Sequence, residues 1–211
     1  MNVQTQTSQA AMTPTAALNR LIEGNARFVA SRQMERNLVQ QVRLTSAGQY
    51  PFAFVLGCVD SRVPPELILD QGIGDIFSAR VAANLMNTDI LGSMEFACKA
   101  AGAKQILVLG HSKCGAVMGA CDDVQLGNLT ETLSKLKSAV AAVSAPGEAR
   151  NSQNSAFVEQ VAEKNVVLTV QAIHEQSPIL NDMFEQGDIG IAGGMYNVDT
   201  GEVTLLDEAK L

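Results

Sequence analysis

Four cysteines in 211 residues are too few for a disulfide-stapled scaffold, and none of them forms a Cys-x-x-Cys pair of the redox kind. No apolar run approaches the roughly 18 residues of a membrane-spanning helix. Positive charge is also sparse. Fifteen Lys and Arg face 22 Asp and Glu, giving a net charge of −7, and the cations form no stripe. That argues against nucleic acid and anionic membrane as partners. Met1–Met12 is polar, with no basic start and no apolar stretch, so it does not read as a secretory signal. It is expected to be a flexible tail over 1–12. The expected compartment is reducing and cytoplasmic, or an organelle if a targeting segment has been removed. No internal repeat is present.

What remains is an ordinary globular composition: 46% apolar residues, enough for one sizeable core over 13–211. Thr13-Pro14 predicts a helix start, cap followed by proline, and Leu18, Leu21, Ile22, Phe28 and Val29 recur at helical spacing. Gly24-Asn25 interrupts this arm without having to end it, and 31–50 reads as helix remnants and loop. Strand-like runs follow at 52–57, 75–81, 105–110 and 188–193, with a shorter one at 202–206. Helical patterns lie near 64–70, 88–101 (Thr88 as cap), 114–121, 128–143 and 153–175, and Ser177-Pro178 opens another that closes near Gly187. Asp199-Thr200-Gly201 should reverse the chain into the last strand. The loop Ser144-Ala145-Pro146-Gly147 is too short to divide domains. The expected fold is therefore α/β. About four parallel strands and an antiparallel edge strand are flanked by helices, with an N-terminal helical arm.

Two strand ends carry the chemistry. Phe52–Leu56 and Gly57 run into Cys58-Val59-Asp60-Ser61-Arg62, and Gln105–Leu109 and Gly110 run into His111-Ser112-Lys113-Cys114-Gly115. Two thiolates and an imidazole form the donor set of open zinc sites and disfavour magnesium or calcium. In open parallel sheets, sites form outside the carboxyl ends of the strands, where both motifs lie. Asp60 admits two readings at this point. It is a fourth zinc ligand that closes the site, or Arg62 holds it as a bidentate ion pair and leaves the fourth position to water, whose pKa zinc lowers to about 7. A zinc site that only stabilises the fold is the further alternative. Cys98 and Cys121, in apolar helical surroundings, read as small buried hydrophobes. His174, the only other histidine, reads as a helix surface residue or as a proton shuttle.

These segments resemble the beta-class carbonic anhydrases. Cys58–Glu66 and His111–Val117 are similar to the family's two signatures. Arg80–Asn84, Gly92–Ala97, Glu23–Phe28, Gly194–Tyr196 and Thr200-Gly201 are similar to segments around them. The resemblance covers roughly residues 16 to 207. It implies one zinc ion per subunit on Cys58, His111 and Cys114, and Asp60 with Arg62 as a catalytic dyad. It implies reversible hydration of CO2 to bicarbonate, with a zinc-activated water as nucleophile. It also implies a homodimer or homotetramer with its site near the subunit interface. Gln49 stands where plant-type members donate a hydrogen bond to substrate, Phe77 where an aromatic from the partner subunit walls the pocket, and Gly115 where an amide faces the substrate.

Three departures stand out. Phe96 replaces a common tyrosine, Ala82 a common valine, and Val55 the tryptophan that helps one subclass bind an inhibitory bicarbonate, so that inhibitory pocket is expected to be missing. Two alternative functions follow: hydrolysis of a CO2-like molecule, carbonyl sulfide or carbon disulfide, and a non-catalytic zinc-stabilised interaction protein.

Overall fold

The computed structural model describes residues 3–145 and 148–210. Met1, Asn2 and Leu211, and the Pro146-Gly147 half of the loop expected at 144–147, lie outside the described residues. In chain order the elements are α1 (Gln6–Ala10), α2 (Pro14–Val29), α3 (Leu38–Thr45), β1 (Ala53–Gly57), α4 (Pro65–Ile68), β2 (Ile76–Arg80), a 3-10 turn (Ala82–Asn84) and α5 (Thr88–Glu95). A π-helical turn (Phe96–Ala100), β3 (Gln105–His111), α6 (Gly115–Cys121), α7 (Gly127–Ser134), α8 (Lys137–Ala142) and α9 (Ser155–Gln176) follow. The chain continues through α10 (Pro178–Glu185), β4 (Gly190–Tyr196) and β5 (Val203–Lys210).

The strands form one sheet in the order β2-β1-β3-β4-β5, parallel except for β5. This is the expected arrangement, and its logic is visible in the sequence. β1 and β3, in the middle, are buried at every position, so they read as continuous apolar runs. β2, at the edge, is only half-covered. Helices cover both faces. A Cβ on Gly193 would sit 2.5 Å from Val166 Cγ1 of α9, and one on Gly190 would sit 3.3 Å from Pro14 Cβ of α2. Positions 190 and 193 differ by an odd number, so these two contacts lie on opposite faces. No helix among the described residues is long and apolar enough to cross a membrane.

Local signals mostly decide the helix ends. Thr13 caps α2, its hydroxyl accepting from Ala16 N at 3.2 Å, with Pro14 in the first turn. α2 runs through Gly24-Asn25 unbroken. Asn25 is buried and ties the helix to two distant segments, donating to Ile68 O at 3.0 Å and Gly201 O at 2.8 Å and accepting from Val203 N at 2.8 Å.

Three expectations need correction. The tail expected over 1–12 contains a helix: Thr5 and Ser8 form a capping box, and the buried Gln9 donates to Pro51 O at 2.7 Å and Ala101 O at 2.8 Å. The cap of α5 is Asn87, one residue before Thr88, because its side chain accepts from Ile90 N at 2.9 Å. β5 reaches Lys210 rather than 206, because beyond an irregularity between Ala192 and Gly194 the pairing with β4 resumes, with Lys210 opposite Ala192.

Candidate metal centre

The sheet order places β1 next to β3, and the chain leaves β1 towards β2 on one side before returning to β3 on the other. The carboxyl ends of these two strands therefore flank a topological switch point, where a crevice opens. Cys58 is the first residue after β1, His111 the last of β3, and Cys114 immediately precedes α6. Lys113, in the left-handed region at φ 54°, turns the chain so that Cys114 faces back to His111. Ser112 pins this loop to β4: its N–H donates to Tyr196 O at 2.9 Å and its hydroxyl accepts from Val198 N at 3.0 Å.

The ligand atoms of Cys58, His111 and Cys114 lie within 4.8 Å of one another, and all three residues are buried. His111 Nδ1 sits 2.9 Å from Ser112 O, which makes Nδ1 the protonated nitrogen and leaves the Nε2 lone pair free. That Nε2 is buried and has no hydrogen-bond partner. An unpaired buried acceptor is costly unless something occupies it. The sulfurs point the same way. The Cys114 thiol pulls the Cys58 pKa down against the effect of burial, helped by the neighbouring His111 imidazole and by backbone N–H groups, while the same contact and burial push Cys114 up. A cation between the two sulfurs would offset both effects. A soft divalent ion would satisfy all three groups at once, so the donor set fits zinc.

Asp60 borders this cluster without joining it. Its Oδ2 lies 4.0 Å from His111 Nε2. Both carboxylate oxygens are held by Arg62: Nε donates to Oδ1 at 2.9 Å, Nη2 to Oδ2 at 2.7 Å, and the Arg62 N–H to Oδ1 at 3.0 Å. This fork holds the Asp60 carboxyl well below the usual carboxylate range and raises the guanidinium in turn. Arg62 also donates to Lys113 O at 3.2 Å, joining the two halves of the site. Arg80 reaches across from β2, with Nε donating to Cys58 O at 2.8 Å and Nη2 to Asp60 O at 2.5 Å.

A carbonic anhydrase family model matches residues 53–203, which takes in both motifs. The chain belongs to the carbonic anhydrase family. It is 34% identical to carbonic anhydrase 2 of Mycobacterium tuberculosis, over 92% of this chain and 93% of that one. It is 33% identical to the carbonic anhydrase of Mycolicibacterium smegmatis, over 91% and 93%. Among solved structures it is similar to the beta-carbonic anhydrase CafA of Aspergillus fumigatus, at a TM-score of 0.69 and 28% identity over 93% and 92% of the two chains. The metal of these beta-class carbonic anhydrases is zinc, and Cys58, His111 and Cys114 are the residues here grouped to hold it.

The other residues singled out in the sequence are dispersed. Ala82 is half-buried in the 3-10 turn, and Gly115 is exposed at the start of α6 with open space around it. Gln49 is exposed in the segment before β1. Phe77 packs edge-on against Phe96 with centroids 6.1 Å apart, out on β2, and Phe96 is 56% exposed. In the sheet register Phe77 lies opposite Phe54, four residues before Cys58. Val55 is fully buried in β1, and Arg80 is committed to the two loop carbonyls. His174 pairs with Asn181 at 3.1 Å and stacks edge-on against Phe184, just before the chain enters the opposite end of β4, so it is no part of this site. Cys98 is buried, and burial pushes its thiol up to about 12. Sequence reasoning missed Asn165 and the Ala83-Asn84 backbone. The signal was a polar residue on the buried stripe of α9, between Val161, Ala162, Val166 and Val170.

Proposed function

We propose that this carbonic anhydrase hydrates CO2 reversibly to bicarbonate and a proton at the Cys58–His111–Cys114 centre. The carrying observation is an unpartnered buried imidazole nitrogen grouped with two thiols, beside a carboxylate whose oxygens are both engaged elsewhere. Zinc bound there supplies Lewis acidity, lowering the pKa of a coordinated water to about 7. The remaining work falls to the protein. Asp60, kept ionised by Arg62, accepts a hydrogen bond from the attacking water and directs its lone pair towards CO2. With both its oxygens on Arg62, Asp60 stays off the metal, which favours an open site near neutral pH. A crystal structure at pH 8 with Asp60 bound directly to zinc would contradict this. Ala82 and Gly115 line the near side of the pocket, with the Gly115 amide facing substrate.

Gln49, Phe77 and Phe96 act on this reading from across a subunit interface, in a homodimer or homotetramer. Support comes from the exposed apolar side chains Leu38, Val39, Val42 and Leu44 of α3, with Leu67 and Phe96 (52–66% exposed). Such a patch is more than a monomer ordinarily leaves to water. Four free cysteines suit a reducing, cytoplasmic setting. Stopped-flow CO2 hydration by the zinc-loaded protein tests the activity. Turnover that falls strongly in Asp60→Ala supports the reading. Turnover of carbonyl sulfide with none of CO2 points instead to hydrolysis of the CO2-like substrate, and no turnover of either points to a structural zinc site.

A further inference from the structure

The 3-10 turn after β2 contains a backbone conformation that side-chain-bearing residues seldom adopt. Ala83 (φ 56°, ψ 30°) and Asn84 (φ 45°) are consecutive left-handed residues, and neither is glycine. Strain of this kind persists only where the surroundings over-determine it, and it concentrates at functional sites. Here the surroundings are identifiable. Val81 N–H donates to Gly57 O at 3.1 Å, fastening the turn to the end of β1, and Asn84 N–H donates to Val81 O at 3.0 Å. Ala83 is fully buried, and its carbonyl accepts from Asn165 Nδ2 at 2.9 Å in a buried bond.

Asn165 is itself fixed by how α9 meets the sheet. Its neighbour Val166 occupies the space that side chains at Gly110 and Gly193 would fill, with Cγ2 2.6 Å from the Cβ position of Gly110 and Cγ1 2.5 Å from that of Gly193. Gly110 immediately precedes His111. One turn of α9 thus sets the height of both halves of the centre: Val166 through Gly110 to His111, and Asn165 through Ala83 to Cys58. The left-handed turn is thereby held against Gly57, the residue before Cys58, through the Val81 N–H. Groups that orient metal ligands in this way tune the metal.

We propose that Asn165 is a positioning residue of the metal centre, holding the Ala83-Asn84 backbone in its left-handed form so that the turn keeps Gly57, and with it Cys58, in place. The inference rests on the reading of Cys58, His111 and Cys114 as the zinc ligands. Asn165→Leu is nearly isosteric but has no proton to donate to Ala83 O. Its zinc affinity, measured by competition with a chromogenic chelator, is expected to fall about 10–100-fold. The sulfur-to-cobalt charge-transfer band of the cobalt(II)-substituted protein is expected to shift as well. Val170→Ala supplies the control. Val170 lies on the same helix face, 3.4 Å from the Cβ position of Gly193, and touches no part of the turn through the contacts above. It should lower Tm and leave zinc affinity and the cobalt spectrum unchanged. If Asn165→Leu does not fold, Asn165→Ala is measured the same way. Variants of Asn165 that bind zinc within twofold of wild type with an unaltered cobalt band overturn the proposal. So does an equal loss of affinity in Val170→Ala, which would reduce Asn165 to a contributor to helix stability. Wild-type protein that binds no zinc overturns the underlying ligand assignment instead.

Discussion

Removing the Arg62 side chain should damage turnover while leaving the zinc in place. Arg62 supplies two side-chain bonds to Asp60, at 2.9 and 2.7 Å, in a fork that matches the carboxylate. Hydrogen bonds to a charged partner contribute about 1.5–3 kcal/mol each when shielded. This pair is only partly shielded, the side chains being 48% exposed for Arg62 and 19% for Asp60. Exposed ion pairs contribute about 0.2–1 kcal/mol. Discounting for solvent leaves about 1.5–2.5 kcal/mol for the fork. About 1.4 kcal/mol corresponds to a factor of ten, so Arg62→Ala should lower kcat/KM roughly 10–70-fold. Asp60, freed on both oxygens and 4.0 Å from His111 Nε2, is then able to turn onto the metal. Arg62→Lys keeps the charge and loses the planar fork, so it should fall between wild type and Arg62→Ala. Stopped-flow CO2 hydration, normalised to zinc content, is the assay. An Arg62→Ala enzyme within twofold of wild type at full zinc occupancy would refute this reasoning.

Further outcomes follow from the same structure. Asp70 is nearly fully buried beneath Arg27 and Arg36 and also accepts from Met34 N–H, so Asp70→Asn should cost about 2–4 kcal/mol in urea unfolding at pH 7. Burial raises the Asp70 pKa, but the Arg36 and Arg27 bonds outweigh it, and the folded value lies below the unfolded one. The stabilisation is therefore complete above the unfolded pKa of about 3.9 and is lost as pH falls through the folded value. The gap between wild type and Asp70→Asn should accordingly narrow at pH 3.5, and a constant gap would count against the pairing. Gly110→Ala would push a Cβ to within 2.6 Å of Val166 Cγ2 and 2.7 Å of Met195 Sδ, so it should cost about 1–3 kcal/mol in thermal unfolding and weaken zinc binding at the adjacent His111. Sedimentation should show a dimer or larger assembly, and Leu38→Glu with Val42→Glu on α3 should dissociate it; a monomeric wild type would separate Gln49 and Phe77 from the site.

The parts of this molecule that were legible in its sequence are those set by local pattern. β1 and β3 are continuous apolar runs because both faces of a central parallel strand are buried, and the two ligand motifs follow directly at their ends. Neighbourhood of the two strands then brings Cys58 to His111 without further instruction. Less legible features depend on distant partners. α1 has its own capping box, but what docks it is Gln9 reaching Pro51 and Ala101 far along the chain. The π-helical turn at 96–100 carries no marker in Phe-Ala-Cys-Lys-Ala. The left-handed Ala83 defies its residue type, because buried contacts rather than propensity hold it. Asp60 is the instructive case. Its spacing from Arg62 leaves two roles open, and the three bonds between the residues support the one in which Arg62 holds it.

The most direct measurement is CO2 hydration rate as zinc is titrated back into the metal-stripped protein. The rate should rise in proportion to bound zinc and level off at one ion per chain, and it should stay near background in Cys58→Ser, which removes a ligand. A protein that takes up one zinc ion per chain without gaining CO2 hydration, or a Cys58→Ser variant as active as wild type, would contradict the account.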